Sequence, residues 1–167
     1  MPEDLEARLR ALEDREAIRE LHATYCFLVD DGRFDELVDG WFTEDARCDF
    51  GAADGSIEPM RAQGREEVRV FFSQGVASLL RDMSHTVHNH RISIEDGRAS
   101  GDCYFELTAT DVASGEDVVG AGRYIDRYRR EGDRWRFAER RAEIFFVAPR
   151  AEGWSRQRFL AVLADRG

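Results

Sequence analysis

Residues 82–91 read DMSHTVHNHR, and three of the chain's four histidines, His85, His88 and His90, fall within six positions there. Imidazole titrates at about 6.5 when unperturbed and is also a common metal ligand. The stretch therefore offers a general base with polar neighbours, a metal site, or a polar strand face. Strand alternation puts His88 and His90 on one face with Ile92 and Ile94, and His85, Val87 and Asn89 on the other. His-x-His on a strand can begin a metal site, but such a site wants a third and a fourth ligand. Only His22 remains among the histidines, no H-E-x-x-H occurs, and Cys26, Cys48 and Cys103 lie far apart. The expectation is no metal and no cofactor, with a metal-dependent enzyme using His88 and His90 kept as the weakest alternative. No G-x-S-x-G or activated cysteine pattern supplies a nucleophile. A proton-abstracting base needs none.

Several elements must position these groups. From Pro2 to Asp30, Leu5, Leu9, Leu12, Ile18, Leu21, Tyr25 and Leu28 recur at three- and four-residue steps, which predicts one long amphipathic helix, open to a break near Asp14. Asp31-Gly32 ends it, and a short helix over Phe34–Trp41 follows. ARCDF (46–50) reads as a strand and GAADGSIEP as a loop. Glu66 to Leu80 reads as a second amphipathic helix. Four β-like segments come next, over 84–95, 98–112, 117–130 and 134–148. They are separated by Glu95-Asp96-Gly97, Ala113-Ser114-Gly115 and Glu131-Gly132-Asp133, turn signals of the hairpin kind. Residues 155–165 suit a short terminal helix. Helices first and a meander after predict an α+β domain, a single unit over 1–167. A curved sheet around a long helix leaves a cavity, a usual place for a small ligand.

Composition narrows the function classes. The formal net charge is −10. The arginines are scattered among acids and form no stripe, which argues against nucleic acid and against an anionic membrane surface. No apolar run approaches the ~20 residues of a membrane helix. Three separated cysteines without a C-x-x-C pattern read as free thiols of a reducing compartment, and MPEDLEARLR has no apolar leader core. The expected location is cytoplasmic. Aromatic residues make up 11% of the chain, which suits an apolar cavity and a small apolar, aromatic or cyclic ligand. Trp41, Phe50 and Phe105 are the aromatic candidates for its wall.

A set of ordered patterns goes further: Ile18-Arg19-Glu20-Leu21 leading to Tyr25, then VDDGRFDELVDGWFTEDARCDF, then Gly64-Arg65-Glu66-Glu67, then SHTVHNHRI, then GRYIDRYRREGDRWRFAERR. In this order they resemble the SnoaL-like, scytalone-dehydratase-like group, part of the nuclear-transport-factor-like superfamily. Bile-acid 7α-dehydratase and lindane dehydrochlorinase look nearest. The resemblance covers about residues 15 to 147. It implies a cone-shaped α+β barrel with N-terminal helices packed on a curved antiparallel or mixed sheet. It also implies an Asp–His pair that abstracts a proton during elimination. Asp30 matches the carboxylate at the end of the first helix, and His85 matches the imidazole at the start of the strand after the second. Tyr25 matches a polar position that some of these dehydratases fill with tyrosine, and Arg141 lies near an arginine that faces the pocket in related enzymes.

Elementary chemistry supports such a pair. A carboxylate bonded to one ring nitrogen fixes the tautomer, orients the ring and stabilises the imidazolium once formed. The expected catalytic set is Asp30, His85 and Tyr25, with Arg141, Trp41, Phe50 and Phe105 binding substrate. This chain departs from the group on the next strand, YFELTATD, where a second pocket acid or base is replaced near Thr108 or Ala109; Asp102 and Glu106 are nearby. The functional expectation is a cofactor-independent lyase of the dehydratase type, or an isomerase, on a small cyclic compound. A non-catalytic small-molecule-binding domain of the same fold is the alternative. A homo-oligomer, dimer or trimer, is expected because the outer face of such a sheet usually finds a partner.

Overall fold

A computed structural model of the chain describes residues 2–152; the helix expected over 155–165 lies outside them. The first helix, α1 (Pro2–Asp30), is continuous. No break occurs at Asp14, because its carboxylate accepts hydrogen bonds from Arg130 (2.8 Å) and from the Trp135 indole (2.9 Å) and so does not compete for its own backbone. The helix closes on a Schellman motif. Gly32 takes φ +68, its N–H donates to Val29 (3.1 Å), and the Arg33 N–H donates to Leu28 (2.8 Å). Burial along α1 begins at Ile18 and runs through Leu21, His22, Tyr25, Leu28 and Val29; Leu5, Leu9 and Leu12, expected on the same stripe, are exposed.

Helix α2 (Phe34–Trp41) follows, then strand β1 (Phe42–Ala52), longer than the five residues expected. Strand β2 (Met60–Gln63), not foreseen, pairs antiparallel with β1. The expected second long helix is three pieces: α3 (Arg65–Val70), a π-helical turn (Phe71–Val76) and α4 (Ala77–Leu79). The wider turn lets the adjacent Phe71 and Phe72 both be buried. Arg69 on α3 reaches Asp35 (2.5 Å) and Asp39 (2.7 Å) on α2 and ties the two helices together.

The four long strands are β3 (Leu80–Glu95), β4 (Arg98–Asp111), β5 (Asp117–Glu131) and β6 (Arg134–Pro149). Their turns fall at the expected breaks; Asp96 and Gly97 both have positive φ, as a type I′ hairpin requires. The curved sheet has the order β2-β1-β6-β5-β4-β3 and is mixed, since β1 runs parallel to β6. α1 lies across its inner face. The hydrophobic core sits between them, with Ile18, Leu21, Tyr25 and Val29 of α1 facing Cys103, Phe105, Tyr124, Phe137 and Ala142.

Irregularities in the ladders redirect side chains. β3 slips against β4 between His88 and Arg91, where Asn89 has φ +58. β6 slips against β5 near Ala138, since Arg127 pairs with Glu139 and Tyr128 with Phe137. Each inserts a residue and changes which neighbours face inward.

Gly122 on β5 lies under the Phe105 ring. A Cβ there would sit 2.5 Å from two Phe105 ring carbons and 2.6 Å from the Glu143 carbonyl oxygen. Phe105 is boxed in by Tyr124, so it cannot swing away. Gly122→Ala should therefore cost about 1–3 kcal/mol, read from the urea midpoint at unchanged slope. An unchanged midpoint would mean that the strand and ring relax freely.

Candidate active site

The end of α1 brings Asp30 to the start of β3. Asp30 Oδ1 lies 2.5 Å from His85 Nδ1, and Asp30 Oδ2 accepts the His85 backbone N–H at 2.8 Å. One carboxylate thus holds both the backbone and the ring of the histidine. A carboxylate at a helix C-terminus faces the negative end of the helix dipole, and these two donors offset that. The pair is mostly shielded, with 7% of the His85 side chain and 18% of the Asp30 side chain exposed. With Nδ1–H donated to Asp30, Nε2 carries the lone pair. His85 lines a cavity of about 730 Å³ between α1, the α3–α4 segment and the inner sheet face. That volume suits a small organic ligand. Its wall is largely apolar, with Val29, Phe50, Met60, Met83, Phe105 and Leu107 among its members.

The other expected site residues divide. Tyr25 lines the cavity and is buried, its ring edge-on to Tyr124 (5.8 Å) and to Phe72 (5.9 Å). Burial, then the neighbouring Tyr124, pushes its hydroxyl well above the ordinary phenol range, so it remains a neutral donor. Phe50 and Phe105 also line the cavity. Trp41 does not; it ends α2 and packs beside Arg134, whose guanidinium lies 5.7 Å from the ring centroid. Arg141 does not either. It is half exposed, pairs with Glu143, and borders a groove on the outer sheet face with Arg47, Arg61 and Arg127.

The reason is the bulge at Ala138. Plain alternation from Trp135 and Phe137 would turn Arg141 inward; the extra residue turns Arg140 inward instead. The Arg140 guanidinium is fully buried and lies against three rings, 3.7 Å from the Tyr124 centroid, 3.9 Å from Tyr25 and 4.4 Å from Phe137. Its Nη1 donates to Asp126 Oδ2 at 3.2 Å. Burial opposes its charge, but Asp126 and the two phenols more than offset that and hold it protonated. Burial pushes the Asp126 carboxyl up to about 7, against the pull of Arg140 and the Tyr128 hydroxyl. Arg140 and Asp126 escaped the sequence reading. A signal for Asp126 was present, because Tyr124, Asp126 and Tyr128 alternate on one face of β5; the bulge that turns Arg140 inward left none.

The bulge at Asn89 corrects the histidine pattern too. His88 and His90 do not share a face. His88 lies outward, its ring 6.0 Å from Tyr104 and its Nε2 3.9 Å from Glu106. His90 turns inward beside His22, with ring centroids 4.8 Å apart. A site using both His88 and His90 as ligands is therefore not formed. On β4 the inward positions are Cys103, Phe105, Leu107 and Ala109, none of them an acid or imidazole; only the strand's last residue, Asp111, borders the cavity, with its carboxylate bonded to Ser114. Asp102 and Glu106 alternate outward.

Comparison with known proteins identifies the family and the fold. The pattern of the SnoaL-like domain family matches residues 10–141. Among solved structures, LinA is similar over 85% of this chain and 92% of its own, at 20% identity and TM-score 0.74. The LinA-type3 hexachlorocyclohexane dehydrochlorinase of Novosphingobium barchaimii LL02 is similar over 85% and 93%, at 20% identity and TM-score 0.73. A Novosphingobium aromaticivorans protein provisionally described as a scytalone dehydratase is similar over 83% and 89%, at 21% identity and TM-score 0.70. At these identities the likeness is one of fold. No curated protein matches the chain. No helix among the described residues is long and apolar enough to cross a membrane.

The buried ion pair makes a direct prediction. Arg140→Met leaves Asp126 buried without its partner and should cost about 3–5 kcal/mol in urea unfolding. Adding Asp126→Leu should restore much of that loss, because the unpaired charge goes with it. A single-variant cost below about 1 kcal/mol would mean that the rings, not the carboxylate, hold this part of the core.

Proposed function

The chain belongs to the SnoaL-like domain family, and from that premise we propose that it is a cofactor-independent lyase acting on a small, mostly apolar cyclic compound. One observation carries the proposal. The His85 imidazole is clamped by Asp30 through Nδ1 and lines an apolar cavity with its other nitrogen free. Solved structures of similar fold include proteins described as a dehydrochlorinase and a scytalone dehydratase, both named for eliminations.

The groups have the roles an elimination needs. Nε2 of His85 takes a proton from a carbon beside an activating group. The C–H electron pair becomes the new double bond, and the leaving group departs with its own bonding electrons as hydroxide or halide. Asp30 stabilises the imidazolium formed and keeps the ring in register. Tyr25, neutral and fully buried, donates a hydrogen bond to a substrate oxygen or to the leaving group. Phe50 and Phe105 pack against the ring. The walls are largely apolar, so each charge interaction between them is stronger than in bulk. Arg140 supports the site from behind, through the faces of Tyr25 and Tyr124. If the leaving group is absent, the same base returns the proton to another carbon, and the reaction is an isomerisation. Arg141 and Trp41 have no part in this scheme, given their placement.

Cyclic ketones bearing β-hydroxyl or β-halogen groups are the substrates to screen, with the new conjugated bond followed by absorbance and carbon-bound hydrogen exchange followed in D₂O. Asp30→Asn and His85→Gln should each lower turnover by about 10²–10⁴-fold, with ligand affinity changed far less. Tyr25→Phe should lower it less. If ligands bind yet neither exchange nor turnover appears in the wild type, the domain binds without catalysis and the proposal fails.

A further inference from the structure

A second constellation lies further along α1, away from the cavity, and the elimination scheme does not use it. His22 of α1, His90 of β3 and Cys103 of β4 converge there, and one ligand atom from each lies within 4.8 Å of the other two. We propose that His22, His90 and Cys103 form a binding site for a zinc ion, held by two imidazoles and one thiolate. The proposal is independent of the reaction assigned to the cavity.

Four observations carry it. First, the donor types fit zinc, which takes imidazole nitrogen and cysteine sulfur in tetrahedral sites. Second, one pair of donors already has the right separation. Bond lengths of about 2.05 Å to nitrogen and 2.3 Å to sulfur at a tetrahedral angle put the two donors about 3.6 Å apart. His22 Nδ1 and Cys103 Sγ are 3.6 Å apart. Third, His90 Nε2 is buried without a hydrogen-bond partner, although its ring packs 4.8 Å from His22. Buried ring nitrogens are ordinarily satisfied, so this one asks for a ligand. Fourth, the outer shell is in place. His22 Nε2 lies 2.7 Å from the Tyr128 hydroxyl and 3.4 Å from Asp126 Oδ2, and the Tyr128 hydroxyl donates to the same carboxylate at 3.2 Å. A ligating histidine commonly gives its second N–H to a carboxylate or hydroxyl, which fixes the tautomer. Here that leaves the Nδ1 lone pair facing Cys103.

The charge environment permits the ion. Buried Arg140 acts on both imidazoles and the exposed Arg19 on His90; Asp126 offsets Arg140 at 3.2 Å. Burial raises the Cys103 thiol to about 12, so zinc must displace its proton on binding. Cys26 and Cys48 offer no such grouping among the described residues. Three protein ligands leave one tetrahedral position, and His90 is half-buried on edge strand β3. The ion would pin α1 to β3 and β4.

Cobalt replaces zinc in such sites and reports its ligands by colour. Titration of the full chain with Co²⁺ should give one ion per chain, visible bands of a tetrahedral ion and a thiolate-to-cobalt band, all displaced by Zn²⁺. Cys103→Ala should abolish the thiolate band. His90→Gln, at a half-buried edge position that tolerates change, should weaken binding at least tenfold while the fold is retained. Cys26→Ala and Cys48→Ala should leave the spectrum intact. Zn²⁺ should raise the unfolding midpoint of the wild type and not that of Cys103→Ala. Absence of stoichiometric binding by the wild type, or binding that survives both Cys103→Ala and His90→Gln, would overturn the assignment.

Discussion

A guanidinium with no exposed surface, enclosed by three aromatic rings, governs how the interior of this fold is built. Taking a charge out of water costs several kcal/mol even after relaxation, and a buried arginine is tolerated only when its surroundings repay that. Around Arg140 the repayment comes from Asp126 and from the faces of Tyr25, Tyr124 and Phe137. Those partners come from α1, β5 and β6. Their mutual positions are therefore fixed by one group, and the cavity is bounded on one side by the same two tyrosines. Such an arrangement is rigid, because moving any ring exposes a charge to an apolar neighbour rather than to water.

The Asp30–His85 contact inherits this rigidity. Tyr25 and Asp30 are five residues apart on one helix, so whatever seats Tyr25 against Arg140 also sets where the helix ends. The Schellman closure at Gly32 then stops the chain with the Asp30 carboxylate facing β3. From the other side, the hydrogen bond from the His85 backbone fixes the strand to the same carboxylate. The imidazole has little freedom left except for a proton on Nε2. A pre-set geometry of this kind lowers the reorganisation that a proton transfer would otherwise require.

Much of the architecture was legible because its signals are local. The hairpin breaks at Asp96-Gly97, Ser114-Gly115 and Gly132 are turn chemistry, and they bracket β4 and β5 to within one residue. The α1 stripe from Ile18 onward and its stop at Asp31-Gly32 are equally plain, whereas Leu5, Leu9 and Leu12 keep the helical spacing without being buried. What failed was parity. Alternation put His90 on the wrong face and the resemblance turned Arg141 inward, because bulges at Asn89 and Ala138 each insert a residue. A bulge is a property of two paired strands and has no firm signature in either one. The β1–β2 hairpin was missed for a related reason: β2 is four residues long, and its pairing, not its composition, makes it a strand. Asp30 and His85 stand 55 positions apart, and no local rule joins them. Resemblance to a family suggested the pair, whereas Arg140, which supports it from behind, came only from the packing.

The face of α1 that meets the sheet carries three polar stations in a row: His22 beside His90 and Cys103, Tyr25 on Arg140, and Asp30 on His85. At 1.5 Å per residue the first and last are about 12 Å apart along the axis. Between them every other contact on this face is apolar, from Leu21 to Val29. A helix with only apolar contacts could slide or turn by part of a residue at small cost, since such packing is not directional. Three directional contacts at different heights remove that freedom, because a rotation that improves one degrades the others. The middle station sits where the two ends would otherwise act independently, and its guanidinium has no exposed surface at all. The polar residues on this buried face thus set the register of α1 on the sheet, and the apolar ones supply the affinity that keeps it there.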